Sequence, residues 1–162
     1  RRLSIGSYGP SFFPLDAIGQ WNRLYGPRGF YQFQAVVPHA DGPAVTRELL
    51  KTIAASRQGS MLVVLKRFGT VAPEGLLSFP MPGISLALDF PNRGEATLRL
   101  LGRLESLVME AGGRIYPAKD SCMRAESFAQ GYPALDAFRA FTDPALTSAF
   151  ARRVGILKEF PA

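Results

Sequence analysis

Residues 30–37 alternate along the chain. Tyr31, Phe33, Ala35 and Val37 fall on one side, Phe30, Gln32, Gln34 and Val36 on the other, and Pro38 closes the run. That period of two predicts a strand with two amides on one face. Pro43 then stands where the first turn of a helix tolerates proline, and Val45, Leu49, Leu50, Ile53 and Ala54 recur at helical spacing until Gly59. Residues 60–68 are rich in branched apolar side chains and predict a second strand, with Leu62, Val64, Lys66 and Phe68 on one face and Gly69 at its end. The run 61–65 within it is the longest apolar run of the chain and reads as buried. Residues 84–90 return to period two, with Ile84, Leu86, Leu88 and Phe90 opposite Ser85, Ala87 and Asp89. Over 95–111, Leu98, Leu101, Leu104, Leu107, Val108 and Ala111 make a helical stripe that Gly112-Gly113 terminates, and 114–118 reads as short and extended.

The resulting order is strand, helix, strand, loop, strand, helix, strand. Two split βαβ units of this kind predict an α+β fold, a ferredoxin-like antiparallel sheet with both helices on one face and the other face bare. Residues 1–29 read as an irregular lead-in around one short helix. Asp16 is its cap, Ile18, Trp21, Leu24 and Tyr25 form its stripe, and Gly26-Pro27 is its stop. Residues 69–83 hold too many breakers for a regular element and predict an ordered loop in which Leu76, Leu77 and Phe79 need cover. Helices built on Phe128, Leu135, Phe138, Phe141, Leu146 and Phe150 follow in 122–162, crossing the sheet or docking on polypeptide outside the chain. The chain thus divides into an α+β part, 1–118, and a helical segment, 119–162.

With 162 residues, 47% of them hydrophobic and 20% charged, the chain suits one globular domain. A domain of this length removes roughly 70% of its unfolded surface from water, so it needs neither disulfides nor a metal to hold it together. A lone Cys122 and a lone His39 exclude an internal disulfide, a Cys/His zinc cluster, an HExxH site and a CxxC pair, and no metal site is expected. No apolar run approaches a membrane span. The start at Arg1, without methionine or an apolar leader, points to a piece of a longer polypeptide. The net charge of +6 and a pI near 9.9 suit nucleic acid, anionic lipid or a phosphorylated small molecule. The basic residues are scattered, no block of five like charges occurs, and no strand carries the aromatic RNA-binding pattern, so no nucleic-acid partner is expected.

If the helices cover Ile84, Leu86 and Leu88, then Ser85, Ala87 and Asp89 face away from them, beside Gln32 and Gln34 of one strand and Lys66 and Phe68 of another. Amides, a lysine, a phenyl ring and small side chains on one surface suit a polar ligand, although a solvated sheet face has the same composition. Lys66 stands out because it interrupts an otherwise apolar strand. Lys119 beside Asp120 reads as a surface ion pair in a turn. His39 reads as a loop residue, and a serine or cysteine triad would have to run through it. Cys122 opens a helix whose N-terminus would lower its pKa, unless the thiol is purely structural. GxGxxG, P-loop and GxSxG patterns are absent.

A series of short motifs now carries a resemblance: Pro14-Leu15-Asp16, Trp21-Asn22-Arg23-Leu24-Tyr25-Gly26, Gln32-Phe33-Gln34, Leu65-Lys66-Arg67-Phe68-Gly69, Leu77-Ser78-Phe79-Pro80-Met81-Pro82-Gly83, Asp89-Phe90-Pro91 and Gly113-Arg114-Ile115-Tyr116-Pro117-Ala118-Lys119-Asp120-Ser121, ending in Ala151-Arg152-Arg153. In this order they resemble the C-terminal half of the decaprenylphosphoryl-ribose oxidase-like enzymes, FAD-linked oxidases of the vanillyl-alcohol-oxidase superfamily. The resemblance implies an FAD-dependent oxidoreductase acting on CH-OH groups, whose FAD is bound mainly by a domain outside this chain, so that the chain alone is inactive. It implies hydride transfer from a secondary alcohol of a sugar, or of a lipid-linked sugar phosphate, to the flavin. By the matching motifs, Lys119 is the catalytic and cofactor-binding residue, with Tyr116 beside it, and Gln34, Lys66, Phe68, Ser85 and Ala87 line the substrate site. Ser85 and Ala87 stand where family members carry Asn and Cys, which points to a different sugar or carrier. A short-chain reductase partner completing a net epimerisation, and a cytoplasmic or membrane-associated bacterial location with peripheral membrane association left open, are further implications. An aldonolactone oxidase such as arabinono-1,4-lactone oxidase and a non-catalytic ferredoxin-like binding module are the alternative readings.

Overall fold

The computed structural model describes residues 6–13, 17–143 and 145–157. The Asp16 cap, the Pro14-Leu15-Asp16 motif and the start at Arg1 lie outside the described residues. Strand β1 (Phe30–Pro38) pairs antiparallel with β3 (Gly83–Pro91) without interruption from Phe30↔Pro91 to Pro38↔Gly83. Strand β2 (Val63–Phe68) takes the far edge of β3, and β4 (Arg114–Ile115) takes the far edge of β1. The order is β2-β3-β1-β4, with every neighbouring pair antiparallel, as two interleaved split βαβ units require.

The helices preceding and following these strands are α1 (Tyr8–Phe12), α2 (Gly42–Ser56), α3 (Glu95–Glu110), α4 (Ala125–Gly131), α5 (Leu135–Arg139) and α6 (Ala149–Arg153). Phe33, Ala35 and Val37 of β1 and Leu86, Leu88 and Phe90 of β3 are buried with Leu49 and Ile53 of α2 and Leu100, Leu101, Leu104 and Val108 of α3. Each large side chain in that layer contributes about 2 kcal/mol by leaving water. The buried stripe of α2 is rotated from the expected one. Thr46 is inside, whereas Leu50 and Ala54 are exposed.

Three expectations need correction. The run 61–65 is not buried: Met61 is 63% exposed and Leu65 62%. The helix layer is displaced toward β4, with α2 over β3 and β1, α3 over β1 and β4, and α4 against β4, so β2 is an open edge. Strand β2 also starts at Val63 rather than at residue 60, because the Ser60 hydroxyl accepts the Asp89 N–H at 2.8 Å and donates to the Leu62 carbonyl at 2.5 Å in place of a ladder bond. Segment 114–118 is extended only over β4, and Pro117 then begins a 3-10 turn, Pro117–Lys119.

In the C-terminal segment Phe128 and Leu135 are buried, while Phe141 and Leu146, between α5 and α6, are exposed. The Tyr132 hydroxyl donates to the Ile115 carbonyl at 2.7 Å, and the Arg114 guanidinium lies 5.2 Å from the Tyr132 ring centroid, which ties α4 to the β4 edge. Of the expected lead-in stripe only Tyr25, in a 3-10 turn Trp21–Tyr25, is buried.

This displaced layer sets a contrast between two leucines. Leu104→Ala in α3 should cost about 3 kcal/mol, whereas Leu65→Ala on the open edge should stay within about 0.5 kcal/mol of the parent. Denaturant midpoints at constant slope check both.

Candidate functional site

Away from the helices the sheet presents Gln32, Gln34 and Val36 of β1, Ser85, Ala87 and Asp89 of β3, and Val64, Lys66 and Phe68 of β2. Alternation therefore placed every one of these side chains on the expected face. That face is not bare, however. Val36 at one end is completely buried, and Phe79 of the loop 69–82 packs between Phe68 (ring centroids 6.0 Å) and Tyr116 (4.7 Å). The Arg114 guanidinium holds this loop by donating to the Ser78 carbonyl at 3.0 Å.

Beneath the loop lies a cavity of about 540 Å³ lined by Gln34, Lys66, Tyr116 and Lys119, with a wall from Leu77 to Pro80. The Tyr116 N–H donates to the Gln34 carbonyl at 2.8 Å, and the Lys119 N–H to the Tyr116 carbonyl at 3.2 Å, so the lysine's turn is chained to the central strand. Gln34 is only 5% exposed, and its Nε2 donates to the Ser85 hydroxyl at 3.2 Å. Two ammonium groups and an amide thus share one cavity, and no carboxylate is among its described lining residues. Such a set suits an anion or an electron-rich ring edge.

Asp120 fixes the other end of the Lys119 turn. Its buried carboxylate accepts the N–H groups of Cys122 (3.1 Å) and Met123 (2.8 Å) through Oδ1, and the Arg153 guanidinium of α6 stands 3.1 Å from Oδ2. The expected Lys119–Asp120 pair is therefore replaced by a long-range one. Cys122 precedes α4 rather than opening it, and its thiol is pushed up to about 11 by burial first and then by the nearby Asp120 and Glu105 carboxylates. The same Glu105 carboxylate accepts the Arg124 N–H at 2.9 Å at the start of α4. His39 Nε2 meets the Phe68 carbonyl at 3.0 Å, a tie between β1 and β2.

At the opposite end of the face Asp89 is buried and accepts from the Tyr25 hydroxyl at 3.2 Å and from Gln32 Nε2 at 3.1 Å. Burial, followed by the Asp89 charge, raises the Tyr25 pKa above the ordinary phenol value. Tyr25 also stacks on Phe30 at 4.3 Å. Polar side chains at that end of the face are thus paired with one another.

Over 151 residues the chain is 38% identical to the decaprenylphosphoryl-beta-D-ribose oxidase of Mycolicibacterium smegmatis. The chain is homologous to a portion of that oxidase. The match takes in 90% of this chain and 32% of the oxidase. An "uncharacterized protein in mprA 5'region" of Streptomyces coelicolor is 41% identical over 117 residues, 69% of this chain and 32% of that protein. The chain therefore spans about a third of the length of the curated relatives it matches. No family model matches it.

The residues singled out by resemblance to such oxidases divide into two groups. Gln34, Lys66, Tyr116 and Lys119 line the cavity together, whereas Ser85 lies under the Gln34 amide, Ala87 is the cross-strand neighbour of Gln34, and Phe68 backs Phe79. The loop wall from Leu77 to Pro80 was not among the expected site residues, although its signals were there: the Leu77-to-Gly83 motif, and Leu77 and Phe79 needing cover inside a segment of breakers.

Burial of the Cys122 thiol fixes its reactivity. The rate of alkylation by iodoacetamide should still be rising past pH 10, whereas a solvated thiol near the ordinary value of 9.0 would already be levelling off. Because the folded thiol has the higher pKa, its contribution to stability is complete below pH 9 and is lost as pH rises toward 11.

Proposed function

We propose that this chain is the substrate-side portion of an FAD-dependent oxidoreductase that oxidises a secondary alcohol of a sugar. The FAD would be held mainly by polypeptide outside these residues. The single observation that carries the reading is the convergence of Lys66, Lys119, Gln34 and Tyr116 on one cavity, in a chain homologous to part of an oxidase. The division into residues 1–118, which shape the substrate site, and 119–162, which return toward the flavin domain, belongs to the same proposal.

The lining fits such a cofactor. An electron-rich pyrimidine edge needs positive charge and hydrogen-bond donors, and Lys119 with Tyr116 supplies both at the cavity wall. When bound, FAD supplies hydride acceptance from a carbon that bears a hydroxyl. The Lys119 ammonium then provides charge where negative charge accumulates, beside the buried Phe79 of the loop wall. Lys66 and the Gln34 amide orient sugar hydroxyls or the oxygens of a phosphate. Ser85, itself 1% exposed, fixes the Gln34 amide from below, Phe68 stiffens the wall through Phe79, and Ala87 stands across the ladder from Gln34. Two ammonium groups without a carboxylate favour a phosphorylated sugar, lipid-linked or free, over a neutral aldonolactone. The ketone formed from the sugar would be the substrate of a separate reductase, the pair giving a net epimerisation.

The test uses the protein expressed with all its flanking sequence and loaded with FAD. Sugar phosphates should bleach the flavin, and Lys119→Met should slow that reduction about 100-fold, the range seen when a charge-stabilising donor is removed. Lys66→Gln should raise KM about tenfold with a smaller change in kcat. Equal reduction rates for Lys119→Met and the parent would remove the role given to this lysine.

A further inference from the structure

On the opposite side of the sheet, the outer surfaces of α2 and α3 border an open cleft of about 560 Å³. Ala55 and Ala96 are small lining residues, and the buried Leu100 is an apolar part of its floor. The rim is cationic: Lys51 from α2, Arg99 and Arg103 from α3. Glu48 is the one carboxylate among the described lining residues, and it reaches only Lys51, at 3.9 Å between two exposed side chains. An exposed pair of that kind neutralises little.

Arg99 and Arg103 stand four residues apart on one helix, a spacing that makes like charges repel by about 0.2–0.5 kcal/mol. Among the described residues neither has an ion-pair partner. The two helices that border the cleft are also tied together at one end. Gln58, buried, donates through Nε2 to the Ala96 carbonyl at 2.9 Å, and its Oε1 accepts from the Thr97 hydroxyl at 2.8 Å, so the end of α2 is pinned to the first turn of α3. The Arg93 guanidinium adds a bond to the Arg57 carbonyl at 3.3 Å. The cleft is therefore a built feature of the helix pair, with repelling guanidinium groups facing unfilled volume.

We propose that this cleft binds a phosphate-bearing anion. The two guanidinium groups would grip its oxygens as paired donors, with Lys51 adding a point charge. The site lies across the sheet from the Lys66–Lys119 cavity and does not depend on any oxidase activity. The same phosphate chemistry is offered by the headgroup of an anionic phospholipid and by a soluble phosphate ester, and the experiment separates them.

In the first arm the isotope-labelled full chain is titrated with glycerol phosphate and its amide signals are followed by NMR. In the second arm it is floated with vesicles of phosphatidylcholine containing phosphatidylglycerol, against vesicles of phosphatidylcholine alone. Saturable shifts confined to residues 48–58 and 96–103 identify a soluble ester, and flotation only with the anionic vesicles identifies a lipid headgroup. In whichever arm responds, the exposed double substitution Arg99→Gln/Arg103→Gln should weaken binding at least tenfold, and Lys51→Gln severalfold. The charge-matched control Arg28→Gln/Arg152→Gln, outside the cleft, should change it less than twofold. No response in either arm at 100 mM salt, or an equal loss in the control, overturns the proposal.

Discussion

A slip of one residue between β1 and β3 would exchange the two faces of this protein. Their ladder runs without interruption from Phe30↔Pro91 to Pro38↔Gly83, and it sets Phe33, Ala35 and Val37 beside Leu88, Leu86 and Ile84 under the helices. The same pairing sends Gln34, Ser85 and Asp89 the other way, where each finds a hydrogen-bond partner. Moving either strand by one position would bury those polar groups against Leu104 and Val108 and push the apolar set into water. Each misplaced polar group would cost a few kcal/mol, so the register is set by both faces at once. Gly83 fixes the end of the ladder, since a Cβ there would collide with the Val37 carbonyl oxygen.

Everything at the cavity is referred back to that central strand. The Tyr116 N–H continues the β1 edge beyond β4 by bonding to the Gln34 carbonyl, and the 3-10 turn then presents Lys119 about one turn further on. Asp120 closes the turn against Met123 and Arg153. A lysine on a solvated loop would lose rotamer freedom when it engaged a ligand. Here the backbone on both sides of Lys119 is already held, by β1 on one side and by a buried carboxylate on the other, so less freedom remains to be lost. The C-terminal helices therefore bear on the site although none of them lines it, because α6 supplies the guanidinium that stands 3.1 Å from the Asp120 carboxylate.

Alternation made much of this legible beforehand. The faces of β1 and β3, both long helices and the shared surface of Gln34, Ser85, Lys66 and Phe68 follow from local periods of 2 and 3.6, which tertiary contacts reinforce. What the sequence hid was relational. Met61 and Leu65 look like core residues, yet their exposure depends on α4 drawing the helix layer toward β4. Nothing in the composition of β2 records that displacement. The Asp120–Arg153 pair joins residues more than thirty positions apart, so the adjacent Lys119 was the natural partner to expect. The cover provided by Phe79 was hidden for a related reason, since a loop without periodicity gives no direction for its side chains. The resemblance supplied Lys119 and Tyr116 as site residues, and residue patterns alone would have left them in a turn.

Charge placement separates the two sides of the sheet by kind. In the cavity under the loop, Lys66 comes from β2 beside Ser85 of β3 and Lys119 from the turn tied to β1, so their repulsion is borne by a backbone held in several hydrogen bonds. In the helix-side cleft, Arg99 and Arg103 come from a single helix whose apolar stripe is anchored in the core, and that burial outweighs a repulsion of tenths of a kcal/mol. In each case a core far larger than the electrostatic cost holds like charges near unfilled volume. With six more positive than negative side chains over the whole chain, surface attraction alone would spread bound anions diffusely. Concave geometry instead gathers several cationic side chains at each of two places, where they can meet one anion together.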